Sequence, residues 1–313
     1  MAKTKSIIEA TNEVLSYIEG RMKGEITSLK TGYRKLDRSM IDGIEWNSVF
    51  TLGGRPSVGK SAVSDCIIDG CFQHNLEKNS GLPDFDLFDF NWELSSRVML
   101  IRRLSAKHKK TYKHIISADN NTLTPNEFKD MEKYLKEYYN NLPITFCEEP
   151  LTVKEFGDTV RRQIDKTKRK TLVRIDHTLL TKQAASENSQ VTMLLNLLME
   201  ANSIKKQYPV IFMFLTQINR DFEDRQLDGS DVAFPRQGDV YGGDAAAMFS
   251  ETIILLNKPS KYGTVQYGRR GEGSLPPVED DDLYFHIVKN RNSDSDLILR
   301  YKEDFKNMTI KEY

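Results

Sequence analysis

The sequence predicts an α/β fold with a mostly parallel central sheet. Apolar, β-branched runs of strand length alternate with segments of helical periodicity along the 313 residues, as in folds of this class. Polar residues follow three of these runs, namely Glu93, Asp176 and Gln217, and a glycine-rich loop follows a fourth. Because the carboxyl ends of parallel strands meet at one edge of a sheet, these residues also predict where a ligand binds.

The glycine-rich loop fits the phosphate-binding pattern GxxxxGK[ST]. It consists of Gly54, Arg55, Pro56, Ser57, Val58, Gly59, Lys60 and Ser61, with Ala62 next to it. The glycines let backbone N–H groups wrap a phosphate chain, and a helix that begins at Lys60 adds its positive dipole end. Lys60 would reach the outer phosphates, and the Ser61 hydroxyl would coordinate Mg²⁺. Because a strand (48–52) precedes the loop and a helix follows it, we expect a P-loop for ATP and Mg²⁺ rather than an unliganded glycine turn.

Composition excludes several classes of protein. Lys plus Arg equals Asp plus Glu, 45 each, so nucleic-acid binding would need a local basic patch. The polar start and the lack of a long apolar run predict a cytoplasmic protein without membrane contact. Cys66, Cys71 and Cys147 are too few for a disulfide framework, and the spacing of the first two favours burial over a metal site.

A lone amphipathic helix precedes the globular pattern. Residues 5–23 carry apolar side chains at helical spacing, and Gly24 is a typical helix stop. The apolar stripe must be buried either on its own domain or on a neighbouring subunit, and the sequence leaves both open. We therefore predict a linker helix over residues 1–24 and one large domain over residues 25–313.

Two carboxylates are candidates for the chemistry of the site. Glu93 follows a strand (86–92), where it can polarise the water that attacks a γ-phosphate, although a glutamate there could also simply favour a helix dipole. Asp176 ends an apolar strand (170–176), where a second Mg²⁺-organising carboxylate is expected. His177 follows it directly.

The elements between and after these strands are scaffold. Thr124, Pro125 and Glu127 form the start of a helix, and a short strand is predicted at 143–146. A second helix carries Val153 and leads to the Asp176 strand. After a polar loop (184–189), a helix over 191–207 leads to a strand (209–215) that is apolar on both faces and therefore central.

A long polar segment, residues 220–243, follows Gln217 and is predicted to lack regular structure. Loops of this length are usually functional or disordered. Its candidate nucleic-acid contacts are Arg220, Arg225, Arg236, Tyr241, Gly242 and Gly243. Glycine N–H groups can bind phosphate, and a tyrosine can stack on a base.

The last part of the chain predicts three more strands, 251–256, 283–288 and 297–301, with a solvated loop over 259–282. Lys289 and Arg291 lie between the last two strands. By themselves, two cations at a hairpin tip are an ordinary solvated turn. We expect this strand to lie far along the sheet from the P-loop strand.

The motifs together resemble the core of DnaB-type replicative helicases. The segment from Thr31 to Asp37 matches a TGxxxLD pattern of that family, and the P-loop matches its GRPxxGK[ST] pattern at the family's distance. The resemblance extends from about residue 24 to the end. It implies a RecA-like P-loop ATPase with an antiparallel C-terminal extension.

The resemblance also implies roles for the site residues. Glu93 takes the place of the family's catalytic base, and Gln217 that of a glutamine that senses the γ-phosphate and relays the change to a DNA-facing loop. Lys289 and Arg291 match the KxR pattern with which one subunit reaches into its neighbour's ATP site. The chain departs from the family pattern at 91–92, at His177 and at 241–244.

The function implied is ATP-driven translocation on single-stranded DNA by a homohexameric ring in DNA replication. A helicase loader or a primase is a possible partner. The family's separate N-terminal domain is not expected here, a short form that would suit a phage or mobile element. Two alternatives remain open: a recombinase-type ATPase that forms filaments, and a degenerate subunit that binds ATP without hydrolysing it. The Glu93 context and the KxR spacing argue against the first, and the filled catalytic positions against the second.

Overall fold

The computed structural model describes residues 4–118, 123–184, 187–227, 234–268 and 276–313. In these ranges the strands are β1 Ser48–Gly54, β2 Phe85–Asn91, β3 Ile144–Cys147, β4 Lys170–Asp176, β5 Val210–Gln217, β6 Thr252–Asn257, β7 Asp282–Asn290, β8 Leu297–Asp304 and β9 Thr309–Glu312. The α-helices are α1 Ile7–Met22, α2 Arg34–Ser39, α3 Lys60–His74, α4 Ser96–His108, α5 Tyr112–Ile116, α6 Pro125–Glu137, α7 Val153–Thr167, α8 Gln190–Lys205, α9 Asp221–Leu227 and α10 Gly243–Phe249.

The strands of the described chain form a single mixed sheet in the order β3-β2-β4-β5-β1-β6-β7-β8-β9. All pairs from β3 to β6 are parallel, and the pairs from β6 to β9 are antiparallel. The predicted α/β class with a mostly parallel sheet and an antiparallel extension is therefore confirmed. Each predicted strand is present with small shifts at its ends, whereas β9 was not predicted.

The core lies on both faces of the sheet. Alternate residues of β5 point to opposite sides: Ile211, Met213 and Leu215 pack in the cluster that contains α3, and Phe212 and Phe214 pack in the cluster that contains α7 and α8. A strand with both faces covered must be apolar throughout, which is why β5 could be predicted as a central strand.

The predicted loop at 220–243 is partly wrong. The segment contains α9, the 3-10 turn Gln237–Asp239 and the start of α10. The side chain of Phe222 is 1% exposed and packs in an apolar cluster with Ile218 and Val240, which fixes the segment against the sheet. Residues 228–233 of the predicted loop lie outside the described residues.

The predicted solvated loop at 259–282 is also partly wrong. Tyr267 is buried, and its hydroxyl accepts a hydrogen bond from the Asn257 amide at 2.7 Å. A 3-10 turn, Pro259–Tyr262, opens the segment. Residues 269–275 of this loop, and residues 185–186 of the polar loop predicted at 184–189, lie outside the described residues.

The N-terminal helix α1 leaves its apolar stripe uncovered. Ile7, Leu15 and Ile18 are 79%, 61% and 49% exposed. A capping box at Ser6 starts the helix, and Gly24, with φ of +70°, follows its end as predicted. Within the described chain the stripe is thus not buried on its own domain. None of the described helices combines the length and apolar character needed to span a membrane.

A buried arginine joins three elements beneath the P-loop edge of the sheet. Arg174 on β4 is 1% exposed, and its guanidinium contacts both carboxylate oxygens of Asp89 on β2, at 2.8 and 2.7 Å. It also donates to Asp65 (2.5 Å) and Ser64 (2.9 Å) on α3. Since fully buried carboxylates are costly without a partner, this cluster fixes β2, β4 and α3 relative to one another.

Replacing Arg174 with Met should strongly destabilise the protein. The side-chain volume is nearly kept, but Asp65 and Asp89 lose their partner, so the free energy of unfolding should fall by about 3–5 kcal/mol. The control is Lys136→Met, which breaks an exposed pair with Glu132 and should cost less than about 1 kcal/mol. Urea unfolding measures both. Equal, small losses in the two variants would contradict the structural role of Arg174.

Candidate active site

The P-loop connects the carboxyl end of β1 to the first turn of α3. Gly59 is the N-cap of α3 and has φ of +96°, a conformation that favours glycine. A Cβ atom there would lie 2.1 Å from the ring of Phe305, so close packing also requires glycine. The strand, loop and helix thus follow in the predicted order, with the helix beginning at Lys60.

The Lys60 ammonium lies inside the loop. It donates to the carbonyl oxygens of Gly54 (3.1 Å) and Arg55 (3.2 Å). Burial lowers the pKa of Lys60 to about 8, while the nearby carboxylates of Asp176 and Glu93 act in the opposite direction. The cation therefore has two carboxylates near it and hydrogen bonds to carbonyl groups of the P-loop backbone itself.

Glu93 and Asp176 are held together by backbone hydrogen bonds. The N–H groups of Trp92 and Glu93 both donate to the Asp176 carbonyl oxygen, at 3.0 and 3.3 Å. This continues the register in which Asn91 faces Asp176 across β2 and β4. The Glu93 side chain is 50% exposed, and its Oε2 lies 3.8 Å from Nε2 of His177. Both predicted carboxylates thus lie at the same edge of the sheet.

Asp176 suits a hard cation. Its side chain is almost fully buried, which raises the pKa of the carboxyl, whereas Arg174 and the Ser61 hydroxyl oppose that rise. Its Oδ2 atom is buried and has no hydrogen-bond partner in the described part of the protein. An unpaired carboxylate oxygen next to a hydroxyl fits Mg²⁺, which binds few protein ligands and keeps water or phosphate as the rest. No group of three or more His, Cys, Asp or Glu side chains elsewhere in the described ranges could hold a metal.

These residues border one open cavity of about 390 Å³. It is lined by Pro56, Ser57, Gly59, Lys60, Ser61, Ala62, Glu93, Arg102, His177, Gln217, Phe305 and Met308. Gln217 is the last residue of β5 and is paired in register with Gly54 of the P-loop. The structure therefore brings most of the P-loop together with Glu93 and Gln217, as the sequence predicted.

Some residues of the cavity were missed by sequence reasoning. Arg102 lies on α4, and Phe305 and Met308 lie in the turn between β8 and β9. Lys261 donates to the Ser57 carbonyl oxygen at 2.8 Å. The only signal for the turn was an apolar pair in a polar stretch, and its place over the P-loop depends on the fold of the antiparallel extension.

The candidate nucleic-acid residues differ in their availability. Arg220 and Arg236 are exposed, whereas Arg225 is paired with Asp239 at 2.6 Å. Tyr241 donates its N–H to the Gln217 carbonyl oxygen at 3.0 Å. Two further candidates start α10: Gly242 is its N-cap, with φ of +66°, and Gly243 is its first residue. The segment is thus attached to the end of β5 that borders the cavity.

Lys289 and Arg291 lie away from this cavity. The Arg291 N–H donates to the Glu251 carbonyl oxygen (2.8 Å), and the Glu251 N–H donates to the Val49 carbonyl oxygen, near the start of β1 (2.9 Å). Only β6 separates β7 from β1, so the expectation of a large distance along the sheet was wrong. Because β7 is antiparallel to β6, its end lies at the edge opposite the P-loop. The Arg291 side chain is 51% exposed and contacts Glu251 at 3.2 Å.

Solved structures share this architecture. A structure described as the ATPase domain of a single protein aligns with a TM-score of 0.80 at 18% identity, over 99% of this chain and 100% of that one. A DnaB-like replicative helicase, described with its interactions with primase, aligns with a TM-score of 0.76 at 16% identity, over 99% and 67% of the two chains. A KaiC-like protein from Pyrococcus horikoshii OT3 aligns at 0.53, with 15% identity, over 92% and 99%. The fold is therefore the predicted RecA-like α/β fold.

The family comparison extends over nearly the whole chain. A comparison with curated protein sequences found no significant match. The family model described as DnaB-like helicase C terminal domain matches residues 28–309, from the Ser28 segment to β9. The chain therefore belongs to the family of DnaB-like helicase C-terminal domains.

Proposed function

We propose that the protein is an ATP-dependent DNA helicase that moves along single-stranded DNA as a homohexameric ring. The observation that carries this proposal is the single cavity in which the P-loop, Glu93 and Gln217 meet beside Asp176, in a chain of the DnaB-like family. Each residue type needed to bind and hydrolyse a nucleoside triphosphate has a counterpart there.

The P-loop would bind the triphosphate. Backbone N–H groups and the start of α3 favour phosphate, and Lys60 would exchange its hydrogen bonds to Gly54 and Arg55 for the outer phosphates. Ser61 and Asp176 would hold Mg²⁺, directly or through water. The chemistry that Mg²⁺ supplies when bound is neutralisation of charge on the β- and γ-phosphate oxygens.

Glu93 would act as the general base. Its half-exposed carboxylate faces the cavity, where it can accept a proton from the attacking water. The backbone hydrogen bonds to Asp176 fix where this carboxylate stands relative to the metal ligands. Gln217, next to Gly54 in the sheet, would contact the γ-phosphate, and its carbonyl bond to Tyr241 supports a route to the segment at 220–243.

Arg291 would complete the site of a neighbouring subunit. Since it lies at the sheet edge opposite its own P-loop, it would have to act between subunits as an arginine finger, with Lys289 beside it. The uncovered stripe of α1 supports the same assembly, because a second copy would bury it. Partners beyond the ring would be single-stranded DNA and a loader or a primase, the latter by analogy with the solved helicase described with primase.

The replacement Glu93→Gln tests the proposed enzyme. It should keep ATP binding but lower hydrolysis by about 10²-fold or more, as for a positioned base, and abolish ATP-driven displacement of a strand from a tailed DNA duplex. Lys60→Ala and Asp176→Ala should lose turnover through weaker phosphate and Mg²⁺ binding, respectively. Binding isotherms, phosphate release and strand displacement measure the three properties. Near-normal turnover in Lys60→Ala or Asp176→Ala, or strand displacement without hydrolysis, would contradict the proposal.

The exposed arginines test the DNA contact. Removing Arg220 and Arg236 together should weaken single-stranded DNA binding and flatten the log–log dependence of affinity on salt, whose slope is about 0.7 per phosphate contact on single strands. ATPase activity without DNA should persist. The matched control replaces Arg34 and Arg38, two exposed arginines of α2, with Ala. An unchanged slope in the Arg220 and Arg236 variant would place the DNA contact elsewhere.

The uncovered helix tests the ring. Deleting residues 1–23 should abolish the hexamer but keep the fold, because α1 contributes an exposed apolar stripe rather than core. The double replacement of Leu15 and Ile18 with Ser should act in the same way, whereas Asn12→Ala with Ser16→Ala on the same helix should not. Light scattering with a non-hydrolysable ATP analogue gives the mass, and thermal unfolding reports the fold. A hexamer without α1 would mean that other surfaces hold the ring together.

A further inference from the structure

We propose that Glu223 is a positioning residue that couples DNA binding to ATP hydrolysis through Arg55 of the P-loop. Oε2 of Glu223 accepts a hydrogen bond from Nη2 of Arg55 at 2.6 Å. The other terminal nitrogen, Nη1, donates to the Ile218 carbonyl oxygen at 2.9 Å. One guanidinium thus attaches the P-loop both to the residue after β5 and to α9.

The ion pair is well shielded. The Arg55 and Glu223 side chains are 16% and 34% exposed, and Nε of Arg55 is buried without a hydrogen-bond partner in the described chain. A charge in such a position loses more on separation from its partner than a surface charge does. The position of Arg55 should therefore depend on where α9 carries Glu223.

Helix α9 also carries the proposed DNA contacts. Arg220 directly precedes it, and Arg225 within it pairs with Asp239 and lies over the Phe222 ring. Phe222 is buried against the cluster that contains Ile218, which makes α9 and the end of β5 one packed unit. A phosphate bound at Arg220 would pull on the same short helix that holds Glu223.

The other end of the connection is the P-loop lysine. Lys60 donates to the carbonyl oxygen of Arg55 at 3.2 Å, so a shift of Arg55 changes the surroundings of the cation that would contact phosphate. The neighbouring turn supports the loop as well: Lys261 donates to Ser57, and Tyr262 packs edge-on against Phe222 with ring centres 6.3 Å apart. Two residues of the P-loop, Arg55 and Ser57, are thus held by elements that contact α9.

This inference rests on the proposed function, because it requires ATP hydrolysis that single-stranded DNA stimulates. It differs from the contact of Gln217 with Tyr241, which follows the backbone. The Arg55 and Glu223 pair is a side-chain connection to the opposite flank of the phosphate site.

The replacement Glu223→Ala tests the coupling. The ATPase rate without DNA and the affinity for an oligothymidylate should stay close to those of the unaltered protein. Stimulation of kcat by the oligothymidylate should fall by about fivefold or more, the lower end of typical coupling between two sites. Glu223→Gln, which keeps an acceptor but not the charge, should give an intermediate loss. Asp224→Ala, on the exposed neighbouring residue of α9, is the matched control and should be stimulated normally.

The outcomes separate the inference from the proposed function. Normal stimulation of Glu223→Ala, or an equal loss in Asp224→Ala, would overturn the coupling and leave the helicase proposal standing. Loss of the basal rate in Glu223→Ala would overturn it too, because the residue would then support the P-loop itself. If the unaltered protein hydrolyses ATP without any stimulation by the oligothymidylate, both the coupling and translocation driven by this site are contradicted.

Discussion

The guanidinium of Arg174 is the contact on which the geometry of the site depends most. It lies in the core between β2, β4 and α3, with Asp89 and Asp65 as its partners. Those elements carry, a few residues further on, the Glu93 carboxylate, the Asp176 carboxylate and the Lys60 and Ser61 pair. A site of this kind works only when charges are held in fixed positions before the substrate arrives. The buried cluster supplies that rigidity from below, while the cavity above it stays open.

Strand direction divides the remaining work between two edges of the sheet. The parallel strands β2, β4, β5 and β1 all end at the edge where the P-loop begins, so that polar residues far apart in sequence meet there. The reversal at β7 sends Arg291 to the other edge, beside the start of β1. In a ring, one subunit's opposite edge can meet the next subunit's P-loop edge. The proposed assembly is then a consequence of topology rather than an addition to it.

Much of this arrangement could be predicted from the sequence. The P-loop, the carboxylates at strand ends and the Gln217 strand all depend on local patterns, namely glycine spacing and apolar runs that end in a polar residue. Arg174 could not be predicted in its role, because an arginine in an apolar strand gives no sign of which carboxylates it will meet. Phe305 and Met308 reach the P-loop only through the antiparallel extension, and β9 is too short to give a clear pattern. Helices α9 and α10 are held by tertiary packing of Phe222 and Ala246, which a polar, glycine-containing segment conceals.

The central claim is that the ATP site is shared between subunits, and mixing two inactive variants tests it most directly. Lys60→Ala lacks the phosphate contact, and Arg291→Ala lacks the finger, a contribution of about 10³–10⁵ in rate where such fingers are fully engaged. Co-assembled rings contain some interfaces with an intact P-loop on one side and an intact Arg291 on the other. We therefore expect part of the ATPase activity to return on mixing. If mixed rings stay as inactive as either parent, while a few unaltered subunits doped into the Arg291→Ala ring restore hydrolysis at their own sites, then Arg291 acts within its own subunit and the account is contradicted.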